Sequence, residues 1–171
     1  PKLNGIDFLK RLMPVNPVPV VVVSSAPIRV LDALGAGAVD FVRKPDVKDP
    51  NGMKRFMAEL TVKVKIASTA RVGTPLPTLR PMALSSNINR NIVIAIGAST
   101  GGTEAILEVV KDLPETTPGI VIVQHMPPVF TNMYAQRLDR ICKMSVKEAA
   151  PGDRVETGKI IIGAGDFHLR L

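Results

Sequence analysis

The residues of this 171-residue chain best suited to covalent chemistry lie in one short stretch, Ile92–Val110, IVIAIGASTGGTEAILEVV. An apolar, β-branched run meets a glycine turn, and a helical pattern leaves the turn. Within it, Gly97-Ala98-Ser99-Thr100-Gly101 fits the G-x-S-x-G pattern in the strand–turn–helix setting that the pattern requires. Glycines keep the turn sharp and leave the serine unshielded. Ser99 is thereby predicted at the carboxyl end of a strand, where open α/β sheets hold their ligands. The N–H groups of Thr100, Gly101 and Gly102, at the start of the following helix, are candidate oxyanion donors.

His125 is the second candidate. It follows the apolar run Ile120–Val123 and precedes Met126-Pro127-Pro128, so it too should emerge at a strand end. A serine hydroxyl needs a neighbouring base to take its proton, and imidazole titrates near neutral pH. Two other readings compete. Ser99 can serve only as a helix N-cap, or the turn can cradle a dinucleotide phosphate. The dinucleotide reading demands an acid at the end of the next strand and a G-x-G-x-x-G spacing. The strand instead ends Val123-Gln124-His125, and the spacing is absent. A carboxylate to orient the imidazole is sought among Asp112, Asp139, Asp153 and Asp166; Asp166, after Gly163-Ala164-Gly165 and the last strand, is the best placed, and none is convincing as the third member.

A second pair follows two other apolar runs. Ser24 closes Val18–Val23 and Lys44-Pro45 closes Ala38–Val42, so a hydroxyl and an ammonium should share one rim of a parallel sheet, a pairing suited to a phosphoryl group. A helix-start serine and a solvated lysine fit the same residues.

The elements that position these residues read as alternating helix and strand. Helices are predicted over Gly5–Met13, Pro27–Leu34 and Gly101–Leu113, and over Phe130–Cys142. Met53, Phe56, Met57, Leu60, Val64 and Ala67 recur at helical spacing and predict an amphipathic helix of four turns. Strands are predicted over Val18–Val23, Ala38–Val42, Ile92–Ile96, Gly119–Val123 and Gly158–Ile162. The alternation implies an α/β fold of two doubly wound parallel-sheet units. Between them, residues 68–91 contain Pro75, Pro77 and Pro81 and no acid, the composition of a linker.

Composition sets the outer limits. Apolar residues make up 46% and charged residues 22%, as in a globular chain. The single cysteine, Cys142, excludes an internal disulfide framework and sits on an apolar helix face as a core residue. No apolar run approaches the ~18 residues of a membrane span, and the chain opens with no secretory leader pattern, so a cytoplasmic protein without direct membrane insertion is expected. The net charge of +7 is uneven: residues 1–91 hold fourteen Lys or Arg against six Asp or Glu, and residues 92–171 hold eight against nine. Aromatics are only 4%, with no tryptophan, which leaves few base-stacking platforms; no nucleic acid is expected as partner.

These stretches resemble the chemotaxis-type protein-glutamate methylesterases of bacteria, in which a response-regulator receiver domain is linked to a serine-hydrolase domain. PKLNGIDF at 1–8, VVVSS at 21–25 and GAVDFVRKP at 37–45 are similar to the later part of a receiver. IGASTGG at 96–102, VQHMPPVFT at 123–131 and KEAAPGDRVETGKIIIGAGDFHL at 147–169 are similar to the esterase domain. The resemblance divides the chain into the C-terminal part of a receiver (1–67), a linker (68–91) and the N-terminal part of a methylesterase catalytic domain (92–171). It implies Ser99 as nucleophile and His125 as its base, and Ser24 and Lys44 as the hydroxyl and lysine of a phosphorylation site. Phe41 falls at the receiver's aromatic switch position, and His168 in GDFHL is taken as structural. It further implies hydrolysis of glutamate methyl esters on the cytoplasmic helices of chemoreceptors, deamidation of receptor glutamines, and a histidine kinase as phosphodonor. No cofactor is implied for catalysis. Mg2+ is implied for the receiver of the full-length parent, its ligands lying before Pro1 with the phosphoacceptor aspartate. The triad aspartate is expected beyond Leu171, so the chain alone is expected to be inactive. The alternative from another class is a non-catalytic phosphorelay or partner-binding module; a nucleotide-binding oxidoreductase is a third.

Overall fold

The computed structural model describes residues 4–46, 48–73 and 92–171. The chain divides into two compact units, Pro1–Thr74 and Pro75–Leu171. Of the linker expected over 68–91, residues 74–91 lie outside the described residues; Gly73, just before them, lies against the Pro17 ring.

In the first unit, helix α1 (Gly5–Leu12) starts where the Asn4 side chain accepts the N–H groups of Ile6 and Asp7, each at 3.0 Å, a side-chain N-cap. Strand β1 (Val21–Ser24), helix α2 (Pro27–Gly35) and strand β2 (Asp40–Arg43) follow, then helix α3 (Gly52–Ala67). β1 and β2 pair in parallel, with Ser24 opposite Arg43. Both strands are shorter than their apolar runs; the chain reaches β1 extended through Pro17 and Pro19, which have no N–H to give a ladder.

The apolar stripe of α3 is buried only in part: Ala67 is covered, and Phe56 and Leu60 are half-buried. Met53, Met57 and Val64 are exposed, whereas Lys63 is buried. Its ammonium donates to the Phe41 carbonyl at 2.7 Å and to Asp40 Oδ1 at 3.2 Å, and pairs with Glu59 at 3.0 Å. A buried ammonium with this many acceptors is tolerated because its charge is paired.

In the second unit, strand β3 (Ile94–Ala98), helix α4 (Gly102–Val110), strand β4 (Ile120–Gln124), helix α5 (Phe130–Asp139) and strands β5 (Ser145–Glu148) and β6 (Lys159–Ile162) form a sheet of order β3-β4-β6-β5, parallel throughout. Ile120, Ile122, Ile160 and Ile162 are wholly buried, each contributing about 1.5–3 kcal/mol of hydrophobic stabilisation. Tyr134 of α5 donates its hydroxyl to the Thr103 carbonyl of α4 at 2.8 Å, and Arg137 grips Glu104 with both nitrogens, at 2.7 and 3.3 Å, so the two helices lie side by side. Burial beside Glu104 pushes the Tyr134 phenol far above its ordinary range. The α/β architecture with parallel sheets is that expected from the sequence; β5 was not expected.

Candidate active site

Two adjacent strands place the two candidate reactive side chains. β3 ends at Ala98 and β4 at Gln124, and these residues are direct partners in the ladder. Ser99 and His125 are therefore the next residue out on neighbouring strands, which lie about 4.8 Å apart. One further hydrogen bond, from the His125 N–H to the Ala98 carbonyl at 3.1 Å, carries the ladder up to the histidine itself. Ser99 and His125 are both exposed, and neither side chain has a hydrogen-bond or ion-pair partner among the described residues.

The turn after β3 explains the glycines. Gly101 has φ +76°, a left-handed conformation that disfavours any side chain. Gly102 is buried: a Cβ there would stand 2.6 Å from the Ala98 Cβ and run into the Gln124 side-chain oxygen. A Cβ at Gly97 would meet nothing within 4 Å among the described residues. The N-cap of α4 is Gly101, with no side-chain capping bond; Ser99 does not cap the helix. Of the three oxyanion candidates, Gly102 gives its N–H to the Ser99 carbonyl at 2.8 Å. The N–H groups of Thr100 and Gly101 have no hydrogen-bond partner among the described residues.

Gln124 escaped sequence reasoning, which weighed it only as a strand end lacking an acid. It is 7% exposed, and its Nε2 donates across the strand gap to the Ser99 carbonyl at 2.9 Å. Its Oε1 is buried with no partner among the described residues, at a cost of about 1–3 kcal/mol.

None of the four aspartates weighed as the third member is bonded to His125. Asp139 accepts the Val146 N–H at 2.7 Å and pins the start of β5. Asp153 accepts the Ala150 N–H and the Lys147 ammonium, both at 2.7 Å; these two bonds, the lysine's foremost, hold its carboxyl below its ordinary range. Asp112 is exposed after α4, and Asp166 is exposed in the loop after β6 with φ +64°. That loop packs closely against the residues following His125: Gly165 meets the Pro127–Pro128 backbone and gives its N–H to Thr131 Oγ1 at 3.1 Å. The Thr131 hydroxyl in turn donates to Glu148. His168 is exposed and has no side-chain partner among the described residues, so a structural role for it finds no contact here. Cys142 is half-buried, and burial pushes its thiol up, away from the reactive thiolate.

In the first unit, Ser24 and Lys44 come together on one rim, the Lys44 N–H donating to the Ser24 carbonyl at 3.1 Å. The Ser24 hydroxyl accepts the Ala26 N–H at 3.2 Å, while the Lys44 side chain is exposed. Phe41 is buried beneath the Lys63 ammonium, 5.0 Å from the ring centroid. Among the described residues no group of three or more His, Cys, Asp or Glu converges on a point, so the Mg2+ that the resemblance implies gets no ligand set from them. No helix among them is long and apolar enough to cross a membrane.

Comparison with known proteins places this rim in context. Residues 94–171 match the CheB methylesterase family. A protein-glutamate methylesterase/protein-glutamine glutaminase of Syntrophotalea carbinolica is 49% identical over 185 residues, an alignment that takes in 100% of this chain and 52% of that protein. A protein of the same name from Salmonella typhimurium is 44% identical over 177 residues, covering 100% of this chain and 51% of its own length. The crystal structure of the Thermotoga maritima CheB methylesterase catalytic domain shares 44% identity, with a TM-score of 0.43 over 44% of this chain and 41% of that one. The chain spans about half the length of the curated relatives it matches. Along its whole length the chain is similar to protein-glutamate methylesterase/protein-glutamine glutaminases, and its residues 94–171 match the CheB methylesterase family model.

Proposed function

We propose that the full-length protein is a serine hydrolase that removes methyl esters from chemoreceptor glutamates, with Ser99 as nucleophile and His125 as general base. The observation that carries this reading is the side-by-side exit of the two residues from paired strands, Ala98 opposite Gln124. In the first step the Ser99 hydroxyl attacks the ester carbonyl while His125 takes its proton. The tetrahedral oxyanion falls to the N–H groups of Thr100 and Gly101. As the intermediate collapses, the imidazolium returns the proton to the departing methoxide, which leaves as methanol. Water, activated by His125, then attacks the acyl-serine and releases the glutamate. A glutamine amide passes through the same acyl-enzyme with ammonia as leaving group, so deamidation is part of the proposal. The carboxylate that orients His125 is assigned to a part of the full-length protein outside the described residues.

The first unit is proposed as a part of a receiver domain, with Ser24 and Lys44 contacting an aspartyl phosphate supplied through a histidine kinase. Phosphorylation then shifts a two-state equilibrium towards an uncovered active site. The test is methanol release from methylated receptor by the full-length protein. Turnover that rises with a phosphodonor and disappears in Ser99→Ala supports the proposal; turnover retained by Ser99→Ala overturns it.

A further inference from the structure

The nucleophile's turn and the base are fastened by consecutive residues of one strand end. His125 carries the candidate imidazole, and its N–H holds the Ala98 carbonyl at 3.1 Å. Gln124, one residue earlier, reaches the next carbonyl, that of Ser99, with its side-chain Nε2 at 2.9 Å. The Ser99 carbonyl thus accepts twice, from Gln124 and from the Gly102 N–H at 2.8 Å. These bonds fix the peptide on both sides of the Ser99 Cα, and so the direction in which its hydroxyl leaves the turn.

The orientation of the Gln124 amide is set by this contact, since rotating it would bring two oxygens face to face. The same orientation strands Oε1, buried without a partner among the described residues and pressed towards Gly102. A leucine of similar size would fill the space without an orphaned oxygen. Retaining an amide there makes physical sense if the bond from its N–H to Ser99 does something that packing cannot. Glycine at 102 is part of the same device, because any side chain there would push the Gln124 amide out of reach of Ser99.

We propose that Gln124 is a positioning residue for the nucleophile: its amide N–H, through the Ser99 carbonyl, sets the aim of the Ser99 hydroxyl relative to His125. Gln124 touches no reacting atom in this account. The inference rests on the proposed role of Ser99. It predicts that losing the bond lowers kcat and leaves KM nearly unchanged, because Gln124 is buried behind the turn and is not open to substrate.

The experiment is methanol release from methylated receptor by the full-length protein and its Gln124→Leu, Gln124→Glu and Ser99→Ala variants, each checked for folding by circular dichroism. For Gln124→Leu the expected result is a kcat lower by about 10–10²-fold with KM within about twofold. In Gln124→Glu a protonated carboxyl can donate to the Ser99 carbonyl as the amide does, whereas the carboxylate repels it. Burial raises the carboxyl pKa. The ratio of Gln124→Glu to wild-type kcat should therefore rise as pH falls from about 8 to about 6. A folded Gln124→Leu with wild-type kcat, or with a loss confined to KM, overturns the inference. Should Gln124→Leu fail to fold, a Gln124→Glu ratio that is flat with pH, or a failure of that variant to fold at every pH, overturns it as well. If Ser99→Ala retains turnover, it is the serine mechanism that has failed; if Ser99→Ala is inactive and the Gln124 variants are unaffected, only the positioning role has.

Discussion

His125 donates its backbone N–H to the carbonyl of Ala98 at 3.1 Å, so the ladder between β3 and β4 continues to the residue that carries the candidate base. The partner residue's successor is Ser99. The spacing between nucleophile and base is consequently set by sheet geometry rather than by two independent loops, and a site built on strands holds its geometry tightly. Both residues are exposed, as a reacting pair requires.

Replacing Ser99 by alanine should remove chemistry without touching the fold. The Ser99 side chain is exposed and unbonded among the described residues, so the melting temperature should stay within about 2 °C of wild type, as for a surface substitution. Methanol release by the full-length protein should fall by at least about 10³-fold. Calorimetry and the turnover assay on one preparation check both halves.

The glycines of the turn should separate by what lies around them. Gly102→Ala puts a methyl group into the Ala98 side chain and the Gln124 amide and should destabilise the second unit by about 1–3 kcal/mol. Gly97→Ala meets nothing within 4 Å and should be close to neutral. Urea denaturation of the two variants, compared with wild type, decides whether close packing or mere turn preference keeps glycine at 102.

Much of the frame was legible because its strands are β-branched apolar runs, Ile120–Val123 above all, bounded by glycine or proline. The elbow at Ser99 was legible because strand, glycine turn and helix are contiguous. β5 was not, since Ser145–Glu148 is short and polar at alternate positions, with only Val146 buried. The stripe on α3 had the right period, but periodicity cannot tell which face the sheet will cover, and Lys63 is buried there beside Gly52 and Ala67 while Met53 and Met57 stay exposed. The Gln124 latch was invisible for a different reason. It joins residues 25 apart in sequence, through a side chain whose type signals nothing until strand register is known.

Lys63 should behave as half of a buried pair. It is 5% exposed and Asp40 8%, so Lys63→Met leaves the Asp40 carboxylate buried without its ammonium, at a cost of about 3–5 kcal/mol. Combining it with Asp40→Asn should recover part of that loss, because the stranded charge is gone. Equilibrium urea denaturation of the single and double variants measures the coupling, and strictly additive losses would contradict it.

Asp153 should titrate below an ordinary aspartate because Lys147 and the Ala150 N–H hold its charged form. A carboxyl whose pKa is depressed in the folded state binds fewer protons folded than unfolded near that pKa. Its contribution to stability is present above the unfolded value of about 3.9 and fades as pH falls through the folded value. An NMR titration of the Asp153 side chain should give a midpoint below about 3.9, moving upward in Lys147→Met. An unmoved midpoint would show that the lysine is not the cause.

The most direct test of the account is a double-mutant cycle on Ser99 and His125, read as kcat for methanol release from methylated receptor by the full-length protein. Residues that act as one catalytic unit lose nearly everything at the first substitution. Ser99→Ala, His125→Ala and the combined variant should therefore be disabled to a similar extent, with the pair no worse than the more severe single. Losses that multiply, or a single variant that keeps turning over, would show that the serine and histidine at these two strand ends do not work together.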